Sequence, residues 1–226
     1  MKNLYSIAQT QNLDDIKKAV SLGLKDEDGE ALQWASEKGY LDIVKLVIPV
    51  SDPKANESQA LCWASYNGHL GIVKMLIPVS DPKANESQAL RWASAFGYLE
   101  IAKLLIPVSD PKANESQALR VASEHGHLEI VKLLIPVSDP KADGSYALRW
   151  ASANGHLDIV DLLWDVSEPE QALKQMKEEN RPREKIGNIF SRLQAERLKK
   201  EIGSLVQDSV NLKPQTQTQT LPKLKM

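Results

Sequence analysis

The sequence predicts an all-α solenoid of helix-turn-helix repeats joined by short turns, with a helical extension at its C-terminal end. Three observations carry this. Residues 77–105 return, shifted by 29 positions, as 48–76 and 106–134. Within that unit the segment IPVSDPKANESQAL stands unchanged at 48–61, 77–90 and 106–119. Apolar residues inside the unit follow the three- and four-residue spacing of a helix face rather than the alternation of a strand. A fixed period of 20–50 residues marks a stacked array, in which each unit buries its apolar face only against its neighbours.

One unit predicts two short helices. Asn85-Glu86-Ser87-Gln88 suits a helix start with a capping box, followed by Ala89, Leu90, Ala93 and Ser94 on one face. Gly97 ends this first helix, because glycine accepts the left-handed conformation of a helix end. The second helix runs from Tyr98 to Ile106, apolar at Leu99, Ile101, Ala102, Leu104, Leu105 and Ile106. Pro107 and Pro111 end it and bias the connection to an extended form. Helices of about ten residues are not stable alone in water, so stacking must hold them.

The whole chain divides on this basis. Residues 1–27 form an N-terminal capping half-repeat, where Gln11-Asn12-Leu13 aligns with Gly-His-Leu and charges replace several apolar positions. Residues 28–166 hold five repeats, keyed by Gly39, Gly68, Gly97, Gly126 and Gly155. Ser167-Glu168-Pro169-Glu170 opens a C-terminal capping helix, 167–180, with a capping box and a proline just inside. Arg181-Pro182-Arg183 breaks it, and a helical extension, 181–210, follows. In that extension Ile186, Ile189, Phe190 and Leu193 make one apolar patch and Leu198, Ile202, Leu205 and Val206 another. The stripe slips between them, which argues against a long coiled coil and leaves a helix folded on the last repeat or a partner-binding, dimerising one. Residues 211–226, with their Gln-Thr alternation, are low in complexity and expected to be disordered.

The frame A-L-x-W-A-S-x-x-G-[HY]-L-[DEG]-I-[VA]-K-[LM]-[LV]-I resembles the ankyrin repeat, over about residues 4–166. The resemblance implies a solenoid that acts as a protein–protein interaction module or scaffold, with its first helices lining a concave groove. Arrays of the Ala-Leu-Arg-Trp-Ala-Ser type are similar to those of amoeba-infecting viruses and intracellular bacteria, which implies a host-directed effector role. The period of 29 is shorter than the family's 33, and Val-Ser-Asp-Pro-Lys stands where the family has Gly-Ala-Asp-Val-Asn. Short turns are therefore expected in place of β-hairpin fingers.

Composition narrows the classes. The chain has 226 residues, 42% hydrophobic and 26% charged, as in soluble proteins with a sizeable core. The first ten residues lack the apolar core of a signal peptide, and no run of about 18 apolar residues is present to span a membrane. A cytoplasmic monomer with no membrane partner is the resulting expectation. Residues 1–166 carry 16 Lys+Arg against 22 Asp+Glu, a balance of −6, and residues 167–226 carry 12 against 8, a balance of +4. Neither part has the concentrated basic face that nucleic acid requires. Cys62 is the single cysteine and excludes an internal disulfide or a cysteine zinc cluster.

No catalytic residue, cofactor or metal is expected. His69, His127 and His156 share one repeat position with Tyr40 and Tyr98, and tyrosine would not replace a histidine ligand there. His125 stands alone, and no Gly-rich phosphate loop or nucleophile elbow is present. The informative positions are those that vary between repeats. On the first helix these are the Trp position and the residues three and four further on, which share a face. They are Trp34, Glu37 and Lys38; Trp63, Tyr66 and Asn67; Trp92, Ala95 and Phe96; Val121, Glu124 and His125; Trp150, Ala153 and Asn154. The resemblance carries them over as partner contacts, against the plainer reading that the tryptophans pack between neighbouring first helices. Tyr66 and Phe96 stand out, because Lys38, Glu124 and Ala153 hold comparable places elsewhere. Arg91, Arg120 and Arg149 form a second ladder, either paired with Asp81, Asp110, Asp139 or nearby Glu residues, or free to dock an acidic partner. The other course for the chain is a structural protein that oligomerises through helix 184–207.

Overall fold

The computed structural model describes residues 3–178, together with residues 191, 195, 198, 199, 201–203 and 205. The chain separates into two compact units, Met1–Arg183 and Glu184–Met226. The expected break at Arg181-Pro182-Arg183 and the tail 211–226 lie outside the described residues.

The first unit is a succession of helix pairs. The entry pair is α1 (Leu4–Ala8) and α2 (Leu13–Ser21). First helices follow as α3 (Glu30–Lys38), α5 (Ala55–Tyr66), α7 (Ala84–Ala95), α9 (Ala113–Glu124) and α11 (Ala142–Asn154). Each is paired with a second helix: α4 (Leu41–Val47), α6 (Leu70–Leu76), α8 (Leu99–Leu105), α10 (Leu128–Leu134) and α12 (Leu157–Trp164). The last described element of the unit, α13 (Pro169–Glu178), packs on α11 through buried Ala172 and Met176. Adjacent first helices pack on one another far more than adjacent second helices do.

The core is the repeat frame written five times. In the second repeat it comprises Ala60, Leu61, Ala64, Ile72, Val73 and Leu76, all buried. Burying a leucine or isoleucine side chain contributes about 2 kcal/mol, so helices too short to persist alone are held by their neighbours. Gln11 takes φ +57, the left-handed conformation that glycine adopts at the matching place in later repeats. Exposed i,i+3 pairs such as Lys103–Glu100 at 2.6 Å and Lys132–Glu129 at 2.7 Å add only a few tenths of a kcal/mol each.

The capping box does not form. Asn85, Glu86 and Ser87 all have positive φ, between 47° and 57°, and regular α-helix begins only after them. The same left-handed turn recurs at Asn56–Ser58, Asn114–Ser116 and Asp143–Ser145. The serine hydroxyl that would cap its own helix works instead between repeats. Ser87 Oγ accepts a 2.8 Å hydrogen bond from the backbone N–H of Asp110, and Ser58 and Ser116 do the same for Asp81 and Asp139. In the opposite direction, Ser109 Oγ donates to the carbonyl of Pro82 at 3.2 Å. The ladder reaches Ser167, which donates to Pro140 rather than boxing α13.

The connections are turns, not the extended segments that the prolines suggest. After α8 the N–H of Ser109 returns to the carbonyl of Leu105 at 2.9 Å, and Asp110 Oδ1 accepts from the N–H of Lys112 at 2.9 Å. An isolated parallel bridge joins Asp26 to Ser51, and no β-hairpin occurs among the described residues. Asp26 is buried and caps α3, its two carboxylate oxygens accepting from Ala31 and Leu32.

Candidate partner-binding face

The varying positions sit on the C-terminal half of each first helix because Gly39, Gly68, Gly97, Gly126 and Gly155 turn the chain at positive φ immediately after it. The half-buried rings of Trp34, Trp63, Trp92 and Trp150 lie along this face. Four of the candidate side chains form one cluster. Tyr66 meets Trp63 at 5.7 Å, Trp92 at 5.1 Å and Phe96 at 4.8 Å between ring centroids, each edge to face. Phe96 stacks on Trp92 at 6.0 Å and approaches Tyr98 at 6.2 Å. Such contacts contribute about 0.5–1.5 kcal/mol each beyond area burial.

This geometry revises the expectation for Tyr66. Its ring is half-buried among three others, so packing explains it, and of the two only Phe96, 44% exposed, remains an open aromatic. Trp34 stands at the N-terminal end of the face, 5.2 Å from Tyr40. Trp150 pairs with Tyr146 at 5.4 Å, away from the central cluster.

The polar candidates are mostly engaged. Lys38 Nζ donates to Glu37 at 2.7 Å, a hydrogen bond that holds its ammonium above the ordinary lysine pKa. Asn67 Nδ2 turns back to the carbonyl of Trp63, and Asn154 Nδ2 reaches the carbonyl of Glu124 in the preceding repeat, both at 2.9 Å. His125 lies exposed, its Nδ1 2.8 Å from the carbonyl of Val121, with its ring parallel to that of His127.

The arginine ladder is not a free docking row. Arg91 donates to Gln117 Oε1 at 2.8 Å. Arg120 lies 4.1 Å above the Tyr146 ring and pairs with Glu115 at 3.5 Å and Asp143 at 3.7 Å. Arg149, only 5% exposed, donates to the carbonyl of Asp143. Of the expected partners, a nearby glutamate, Glu115, is used by Arg120, whereas none of Asp81, Asp110 and Asp139 pairs with the ladder among the described residues. Tyr146 is the residue that sequence reasoning passed over, although it breaks the repeat by standing where Gln59, Gln88 and Gln117 stand.

The shared histidine position serves the interface between repeats. Nε2 of His69, His127 and His156 lies 2.9–3.0 Å from a backbone carbonyl of the preceding repeat, at Glu37, Ala95 and Glu124. A carbonyl only accepts, so that nitrogen carries the proton. Each ring also rests on the glycine of the preceding repeat, Gly39, Gly97 or Gly126. Cys62 is buried, and burial pushes its thiol up to about 11, so no thiolate nucleophile exists there near neutrality.

A family model described as ankyrin repeats (3 copies) matches residues 4–87, 32–115 and 90–172. Comparison with curated proteins finds no match.

Proposed function

Because the chain belongs to the ankyrin-repeat family, whose arrays are generally protein–protein interaction modules, we propose that it binds a partner protein along its first-helix face. The observation that supports this is the cluster of Trp63, Tyr66, Trp92 and Phe96, with the Phe96 ring left open at its surface. Interface hot spots are built from such aromatic groups, packed enough to be rigid and open enough to be covered. Lys38, Asn67, Glu124, His125, Trp150 and Asn154 surround or extend the cluster as its polar and outer contacts. The kind of array is what supports a host protein as that partner.

Phe96→Ala is the test. The chain, immobilised with and without residues 184–226, is used to capture binding proteins, which are quantified for wild type and variant. The variant should keep its melting temperature within a few degrees and lose the captured partner by about 2 kcal/mol or more, at least roughly 30-fold. Unchanged capture by folded Phe96→Ala would overturn the reading.

A second reading has its own observation. Leu198, Ile202 and Leu205 are helical, 54%, 54% and 63% exposed, and spaced as one helix face. Assembly through this face would be lost on deleting 184–226 and kept in Phe96→Ala, so the same samples separate the two readings by sedimentation.

A further inference from the structure

At the N-terminal end of the same face lies a cavity of about 240 Å³, lined by Tyr5 of α1, Glu30, Gln33, Trp34 and Glu37 of α3, and Trp63 of α5. We propose that this cavity seats one cationic side chain, a lysine ammonium or arginine guanidinium, of a basic polypeptide segment. Three aromatic ring systems around one cavity supply the quadrupole field that attracts a cation. Two carboxylates supply formal negative charge. Lys38 pairs with Glu37 at 2.7 Å without lining the cavity. Glu30 is exposed and has no ion-pair or side-chain hydrogen-bond partner among the described residues, so its charge is available to an incoming cation.

Size and charge exclude other occupants. Sites for drug-sized ligands occupy about 300–1,000 Å³, so this cavity suits a side chain rather than a whole small molecule. An anion would meet two carboxylates against one lysine already bound to one of them. The balance of −6 over residues 1–166 also draws basic segments toward the array and repels acidic ones. The proposal rests on the partner-binding reading and extends it to a neighbouring point of the face, which shares Trp63 with the aromatic cluster, and a free probe tests it without any partner.

The experiment follows the tryptophan indole N–H resonances of the full chain by NMR while acetyl-lysine amide, acetyl-arginine amide or the neutral match acetyl-norleucine amide is added. Trp34→Phe and Trp63→Phe identify the two resonances. Both should move saturably with the cationic probes, in the millimolar range, while those of Trp92, Trp150 and Trp164 stay still. The stronger of the two cations identifies which side chain the seat takes. Glu30→Gln should weaken binding roughly fivefold, and Lys38→Met, which frees Glu37, should strengthen it. Movement with norleucine equal to that with the cations, no movement with either cation, or affinity indifferent to Glu30→Gln would each overturn the proposal.

Discussion

Gly97 answers two demands that the sequence places far apart. Its φ of +74° favours glycine, and a Cβ built there would fall 2.6 Å from the His127 ring, whose Nε2 meets the Ala95 carbonyl. Gly155 shares the first demand, with φ +77°, but nothing lies within 4 Å of its Cβ position. Gly155→Ala should therefore cost only the left-handed term, about 1–2 kcal/mol. Gly97→Ala should cost about 3 kcal/mol or more, because the imidazole must move and give up its hydrogen bond as well. Urea unfolding of the two variants checks this, and equal losses would mean that the ring contact contributes nothing. The histidine–tyrosine interchange was legible in the sequence as a position of the repeat frame. The glycine beneath the ring was not, since that contact joins residues one repeat apart. Tyr66 shows the same limit: its exposure was misjudged because Trp92 and Phe96, which cover it, come from the next helix.

At the scale of the element, the helix pair was legible and its first turn was not. Glycine, the apolar spacing and the mutual insufficiency of short helices placed the second helix to within a residue at each end. Asn-Glu-Ser satisfies a capping-box pattern equally well as it satisfies a left-handed turn, because serine and asparagine serve both. What decides between them is the acceptor: the Ser87 hydroxyl takes the N–H of Asp110 from the following connection, a partner that no local pattern contains. One repeat carried a signal, Gly144 at φ +59°, in the place of Glu57, Glu86 and Glu115. Glu86→Gly should accordingly be neutral or stabilising by up to about 1 kcal/mol, relief of the left-handed penalty offsetting the added freedom of the unfolded chain. A regular helix start would lose close to 1 kcal/mol on the same change. A melting temperature lowered by several degrees would restore the helical reading of this segment.

At the scale of the molecule, the period of 29 and its family resemblance made the array legible, because a repeat interface needs only a neighbour of the same kind. The family resemblance, and neither charge nor composition, pointed to the class of activity, since arrays of this family are generally protein–protein interaction modules. The aromatic cluster and the cavity beside Trp34 were only half legible: Trp34, Glu37, Trp63, Tyr66, Trp92 and Phe96 were singled out, Tyr5, Glu30 and Gln33 were not, and their grouping depends on how consecutive first helices pack. The same nearest-neighbour logic governs the last prediction. Stability in such an array is close to a sum of repeat and interface terms, and α13 already covers α11, the final first helix. A chain ending at Arg183 retains every interface of the first unit, so removing 184–226 should shift the melting temperature by no more than about 4 °C, the equivalent of roughly 1 kcal/mol at this size. Deleting 167–226 should do more, because it strips α13 from α11 and exposes the faces against Ala172 and Met176, with a loss of about 3 kcal/mol or more. Circular dichroism melts of the three lengths decide the matter. A drop of about 10 °C on removing 184–226 alone would make that segment part of the stack, and an equal melt after removing 167–226 would deny α13 its capping role.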